Sequence, residues 1–286
     1  MQLSIIKIGG NIIDDEQRLA GFLDDFAAVP GKKILVHGGG KLATRVAEGL
    51  GIRQQLVDGR RITDAETLNV VTMVYAGAIN KNIIAKLQAR NCPAIGLTGA
   101  DGNAILSHKR AHPVTGSASP NVQAHPTTGP DSPTTPELPT IDYGFVGDVD
   151  SVNISLLTSL LLLDQVLVFA PLTHDGNGQL LNTNADTIAQ ELARGLCSTF
   201  EVHLIYSFEK AGVLRDAEDE STLIARINPS DYEDLKKKNI IFAGMIPKLD
   251  NAFTALRSGV KKVIIGKAEQ LPRLLTGESG TTILHE

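Results

Sequence analysis

The stretch Lys33-Ile34-Leu35-Val36-His37-Gly38-Gly39-Gly40 decides the fold. A short apolar run ends in three glycines, and an amphipathic segment from Lys41 to Leu50 follows, ended by Gly51. This spacing predicts a strand, a tight anion-sized loop and a helix. The pattern repeats outward. Leu3–Ile8 is a predicted strand followed by Gly9-Gly10, and Glu16–Ala28 a helix with Leu19, Phe22, Leu23 and Phe26 on one face. Asp64–Arg90 is a long helix with an irregularity expected near Gly77. Further strands are expected at Ala94–Leu97, Gln165–Ala170, Glu201–Ser207 and Lys261–Ile265, with helices at Thr183–Leu196 and Pro247–Ser258. Alternating strands and helices mean an α/β fold, a mainly parallel sheet covered on both faces. Its glycine loops then lie at the carboxyl edge, where such sheets bind ligands.

The chain has 286 residues, of which 42% are hydrophobic and 21% charged, enough for a sizeable core in one large domain or two lobes. A net charge of −5 argues against nucleic acid, because phosphate backbones need an electropositive footprint. Cys92 and Cys197 are too few for a disulfide framework, which points to a reduced cytoplasmic setting. No targeting segment is legible, and Asp164 and Gln165 break the apolar run 154–172, so no membrane span is expected. Residues 111–140 are mostly Pro, Thr, Ser, Gly and His without periodicity. Such a composition buries little apolar surface, so a mobile insertion is expected between strands at Ala104–His108 and Ile141–Val146. His108, His112 and His125 match no common metal spacing.

Several residues carry candidate chemistry. Lys7 is a lysine inside an apolar strand, followed by two glycines that let a ligand approach the backbone. It is read either as a lysine beside a phosphate loop or as an edge lysine reaching solvent. Gly38–Gly40 is an anion cradle, yet Gly38, Gly40 and Ala43 also fit G-x-G-x-x-A, with Asp58 at ribose-carboxylate distance, the mark of a dinucleotide dehydrogenase. Arg60 or Arg61 can fork a carboxylate, ahead of a helix capped by Thr63 or Asp64. Asn182-Thr183-Asn184-Ala185-Asp186 crowds one helix start with more capping side chains than a cap needs, and Asp186 is placed to orient lysines. In Gly244-Met245-Ile246-Pro247-Lys248, Pro247 suits a first helical position. Lys248 there opposes the helix dipole unless an anion binds between them.

Lys7-x-Gly9-Gly10, His37-Gly38-Gly39-Gly40, Gly59-x-Arg61-x-Thr63, Asn182-x-Asn184-Ala185-Asp186 and Gly244-Met245-x-x-Lys248 occur in this order. The set resembles the amino acid kinase family, from the first strand to Gly280-Thr281-Thr282-Ile283 and excluding the insertion. The resemblance implies a three-layer αβα sandwich. It implies an N-terminal lobe, 1–175, for an acylated amino acid and for dimerisation, and a C-terminal lobe, 176–286, for ATP. It further implies phosphorylation of the γ-carboxylate of an N-acylglutamate, N-acetylglutamate first among them, on the way to arginine. By position, Lys7 and Lys248 would flank the transferred phosphoryl group, with Asp186 holding them. Gly38, Gly39, Arg61, Asn182 and Asn184 would meet the acyl amino acid. Gly9, Gly10, Glu209, Lys210, Gly212, Phe242 and Gly244 would meet ATP, with Glu209 standing where the family usually has Asp. An ionised carboxylate needs no general base, so alignment and charge stabilisation suffice. Mg²⁺ would ride on the nucleotide phosphates, with no protein metal site. Aspartate, glutamate or nucleotide acceptors stay open, as does a silent amino-acid-binding regulator. A short lead into the first strand implies a homodimer without arginine inhibition. The dimer would form through the apolar surface offered by Val70, Val71, Met73, Val74 and Ile79 on the Asp64–Arg90 helix.

Overall fold

The computed structural model describes residues 1–57, 60–110, 112–113, 140–216, 218–238, 240–241 and 245–285. An eight-stranded sheet runs through it. Its strands are β1 (Gln2–Ile8), β2 (Lys32–His37), β3 (Ala94–Leu97), β6 (Val166–Phe169), β9 (Glu201–Phe208), β10 (Arg226–Ile227), β11 (Lys262–Lys267) and β12 (Thr281–Ile283). The order is β10-β12-β11-β9-β1-β2-β6-β3, parallel throughout except that β12 runs against β11. Every residue of β1 from Leu3 to Ile6 is buried, as expected where both faces of a parallel sheet are covered.

Strand alternation sorts the core into two layers. Leu3, Ile5, Ile34 and Val36 point to one face, under α6 (Ala185–Leu196) and α8 (Ile246–Arg257). Ile6, Ile8 and Leu35 point to the other, under α1 (Glu16–Ala28), with Leu19, Phe22, Leu23 and Phe26 all buried there. The result is the expected αβα sandwich. A second sheet, ordered β8-β7-β4-β5, consists of β4 (Ile105–Lys109), β5 (Gly147–Val152), β7 (Leu172–His174) and β8 (Leu180–Asn182).

Four expectations change and one open alternative, the helix cap, is settled. The partner of β4 is β5, not Ile141–Val146, with Ile105 opposite Val152; most of residues 111–140 lie outside the described residues. The Asp64–Arg90 helix is three pieces: α3 (Ala65–Val71), a π-helical segment Thr72–Ile79 around the suspected Gly77, and α4 (Asn80–Gln88). Asp64, rather than Thr63, caps α3 by accepting from the Thr67 N–H. Val70, Val71, Val74 and Ile79 are not spare surface: each is at most 4% exposed within the chain itself, and only Met73 of the five is exposed. Finally, Leu56–Val57 forms a two-residue hairpin with Arg60–Arg61, outside the main sheet. A dinucleotide fingerprint needs its second strand in that sheet, so the dehydrogenase reading loses its support; Asp58 lies outside the described residues. Among the described residues no helix is long and apolar enough to cross a membrane.

Candidate active site

Lys7 continues the Leu3, Ile5 file of β1, so it emerges on the face beneath α6, level with Tyr206 and Val36. Asn184 caps α6 by accepting from the N–H groups of Asp186 and Thr187, at 2.8 and 3.2 Å. That cap leaves Asp186 in the first turn, above Lys7. Lys248 arrives from the first turn of α8. The three meet. Lys7 Nζ lies 2.7 Å from Asp186 Oδ1, and Lys248 Nζ donates to Oδ2 at 2.8 Å. Lys248 also stands 5.7 Å from the centre of the Phe208 ring. Burial by itself would raise the Asp186 carboxyl. The charges of Lys7 and Lys248 outweigh it and hold the group well below the usual carboxylate range. One carboxylate thus clasps two cations, and the cluster keeps a net positive charge.

Glycines surround this cluster at the carboxyl edge. Gly9 donates to Ser207 O at 3.0 Å, which ties the end of β1 to β9. A Cβ on Gly10 would meet nothing within 4 Å, and one on Gly38 only Gly10 N and Ile8 O at 3.9 Å. Neither backbone is closely covered by a neighbouring side chain. Glu209, Lys210 and Gly212 follow β9 at the same edge; Lys210 lies 3.9 Å from Glu218, and Gly212 packs against Thr281. Phe242 and Gly244 lie outside the described residues.

A cleft of about 400 Å³ adjoins the glycine loop. Gly38, Gly39, Arg61, Asn182 and Asn184 all line it. Arg61 donates to Gly40 O at 2.9 Å, to Thr44 Oγ1 at 2.8 Å and to Gln54. All three acceptors are neutral, so they orient the guanidinium without cancelling its charge. Asn182 is the last residue of β8 rather than a helix residue, and its amide donates to Thr63 Oγ1 at 3.0 Å. Asn184 faces the cleft, yet its carbonyl oxygen is used by the helix cap.

Sequence reasoning missed Tyr75, Thr44 and Arg110, which also line the cleft. Tyr75 comes from the π-helical segment and packs on Gly39. Arg110 is paired with Asp148 through two nitrogens. None of them belongs to a short motif, and Arg110 gains its place through a strand pairing that periodicity misassigned. His108, by contrast, pairs with Asp150 at 2.6 Å on the surface. Among the described residues no three His, Cys, Asp or Glu side chains converge as metal ligands.

The model of the amino acid kinase family matches residues 2–267. The chain is 55% identical to the acetylglutamate kinase of Cytophaga hutchinsonii, over 96% of this chain and 94% of that one. It is 50% identical to the acetylglutamate kinase of Phocaeicola vulgatus, over 99% and 98%. Among solved structures, the N-acetylglutamate synthase of Neisseria gonorrhoeae, complexed with coenzyme A and N-acetyl-glutamate, superposes with a TM-score of 0.76 at 20% identity. That match covers 99% of this chain and 59% of that one, a likeness of fold. Matched along nearly its whole length, and carrying the two-lysine clasp where its motifs put it, this chain belongs to the amino acid kinase family.

Proposed function

We propose that this chain is an acetylglutamate kinase of arginine biosynthesis. It transfers the γ-phosphoryl group of ATP to the γ-carboxylate of N-acetylglutamate, giving ADP and an acyl phosphate. The observation that carries the reading is the pair of ammonium groups gripped by Asp186 beside open glycine backbones. Phosphoryl transfer to an ionised carboxylate needs no base. It needs two anions brought into line and the charge on the equatorial oxygens stabilised. Lys7 and Lys248 supply that charge, and Asp186 spaces them before substrate arrives. The backbone N–H of Gly10 faces the phosphoryl group, and the Gly38–Gly40 loop turns its N–H groups to the acyl amino acid in the adjoining cleft. Arg61 and Asn182 hold the α-carboxylate and the acylamino group in the adjoining cleft.

Residues 1–175 serve the acyl amino acid, and residues 176–286 serve ATP through Glu209, Lys210, Gly212, Phe242 and Gly244. The donor set near the phosphates is cationic, and the clasped carboxylate of Asp186 is already taken, so we assign Mg²⁺ to the nucleotide's own oxygens. When bound, the ion adds charge neutralisation on the β- and γ-phosphates. We also infer a cytoplasmic homodimer. The free thiols Cys92 and Cys197 suit a reducing compartment. A light-scattering mass of twice 30.5 kDa is the expected result. The test of activity is ADP release across N-acetylglutamate, N-succinylglutamate, glutamate and aspartate. Turnover restricted to free amino acids would sink the reading.

A further inference from the structure

His37 is a motif residue with no part in the chemistry above, yet it is fully buried at the foot of the glycine loop. It points to the face of β2 opposite Asp186, toward the π-helical segment. Burial pushes its ring down to about 4 from 6.5, against a partial offset from the Gly38 hydrogen bond, so the ring is neutral. Its Nδ1 lies 2.8 Å from Gly38 O, and Asn80 Nδ2 donates to its Nε2 at 3.2 Å. Asn80, 1% exposed, donates also to Val168 O at 3.0 Å and accepts from Lys81 Nζ at 3.1 Å. Room for this chain exists because β3 carries a glycine: a Cβ on Gly96 would stand 1.9 Å from Asn80 Oδ1. The π-helical segment ends at Ile79, and its wider turn delivers Asn80 to the histidine. The same segment packs against the loop, since a Cβ on Gly39 would meet Ile79 Cδ1 at 2.2 Å and Tyr75 Cδ1 at 3.1 Å.

The Gly38–Gly39 peptide is trans, and a trans peptide points its C=O and N–H in opposite directions. A Gly38 carbonyl drawn down onto the buried ring therefore turns the Gly39 N–H up, into the cleft that Gly38, Gly39 and Gly40 line. We propose that His37, held by the Asn80–Lys81 relay, is a positioning residue that aims the Gly39 N–H at the acyl amino acid. This rests on the function proposed above. The relay touches the loop and not the lysine clasp, so its effect falls on the acyl substrate and not on ATP.

The test uses the full chain as wild type, Asn80→Ala, Lys81→Met and Lys81→Arg. Steady-state ADP release gives both KM values, and NMR of the free protein gives the Gly39 amide resonance. In Asn80→Ala the KM for N-acetylglutamate should rise about tenfold, and in Lys81→Met about threefold, with the KM for ATP held within about twofold. Lys81→Arg, which keeps a donor to Asn80 Oδ1, should restore wild-type values. The Gly39 resonance should move in the first two variants and return in the third. Equal rises in both KM values, or lost thermal stability with KM unchanged, would show a structural role only. Lys81 is exposed, so the Lys81 pair decides the matter if Asn80→Ala does not fold. Should the wild type prefer a different acceptor, the functional proposal fails alone, because the Gly39 resonance still reads the relay; an unmoved resonance overturns the relay whatever the acceptor.

Discussion

Asp186→Asn removes one charge and almost no volume, and it tests the clasp from its centre. Two unit charges about 4 Å apart at an effective dielectric of about 20 attract by about 4 kcal/mol. Asp186 makes two such contacts, at 2.7 and 2.8 Å, with lysine side chains 13% and 24% exposed. Solvent screens part of this attraction, and an amide oxygen still accepts one hydrogen bond. We take the net loss of preorganisation as about 3 kcal/mol, which is about 10²-fold in kcat. The two ammonium groups, no longer neutralised, repel each other yet attract the triphosphate, so the KM for ATP should hold or fall. A coupled ADP-release assay at saturating substrates measures both. A kcat within threefold of wild type, in a variant with normal thermal stability, would refute the idea that Asp186 spaces the lysines.

Arg61→Ala should raise the KM for the acyl amino acid by about tenfold or more, since a charge-assisted contact to a carboxylate is lost, while ATP is untouched; a rise in the ATP value alone would misplace Arg61. His37 titrates lower folded than unfolded, so below pH 6.5 the unfolded chain binds the extra proton. Stability should be full above pH 6.5 and fall toward pH 4, by up to about 1.4 kcal/mol per unit. Urea titrations at several pH values should show this slope flattened in His37→Gln. Gly39→Ala should cost about 2 kcal/mol or more in urea unfolding, because φ at Gly39 is +149° and the new Cβ strikes Ile79. Unchanged stability would mean that the loop yields easily.

The layers of the fold were legible because β1 and β2 are apolar on both faces, a pattern that specifies a covered parallel sheet. The clasp was legible for a different reason. Lys7 in an apolar strand and Lys248 in a helix's first turn are each unfavourable alone, and two such costs point to a shared anion. What escaped was set by long-range pairing. The β4–β5 register joins residues as far apart in the chain as Ile105 and Val152, and no local signal in the sequence sets such a pairing. The apolar run at Val70–Ile79 read as spare surface because helical periodicity at 3.6 residues leaves some of it unburied. Val70 and Val71 are buried from α3, and the π-helical segment that follows brings Val74 and Ile79 into the core as well and sets Tyr75 and Ile79 against Gly39. His37 was visible in its motif, but its partner, Asn80, lies across that segment and has no sequence signature.

The central claim is that a γ-carboxylate leaves this site as an acyl phosphate. Hydroxylamine trapping measures that product directly, because an acyl phosphate and hydroxylamine give a hydroxamate and inorganic phosphate. With ATP, Mg²⁺ and N-acetylglutamate, the account predicts a γ-hydroxamate formed in step with ADP, abolished or nearly so in Lys7→Ala and Lys248→Ala. ADP released without hydroxamate, or hydroxamate formed from unacylated glutamate or aspartate and not from an N-acylglutamate, would contradict it.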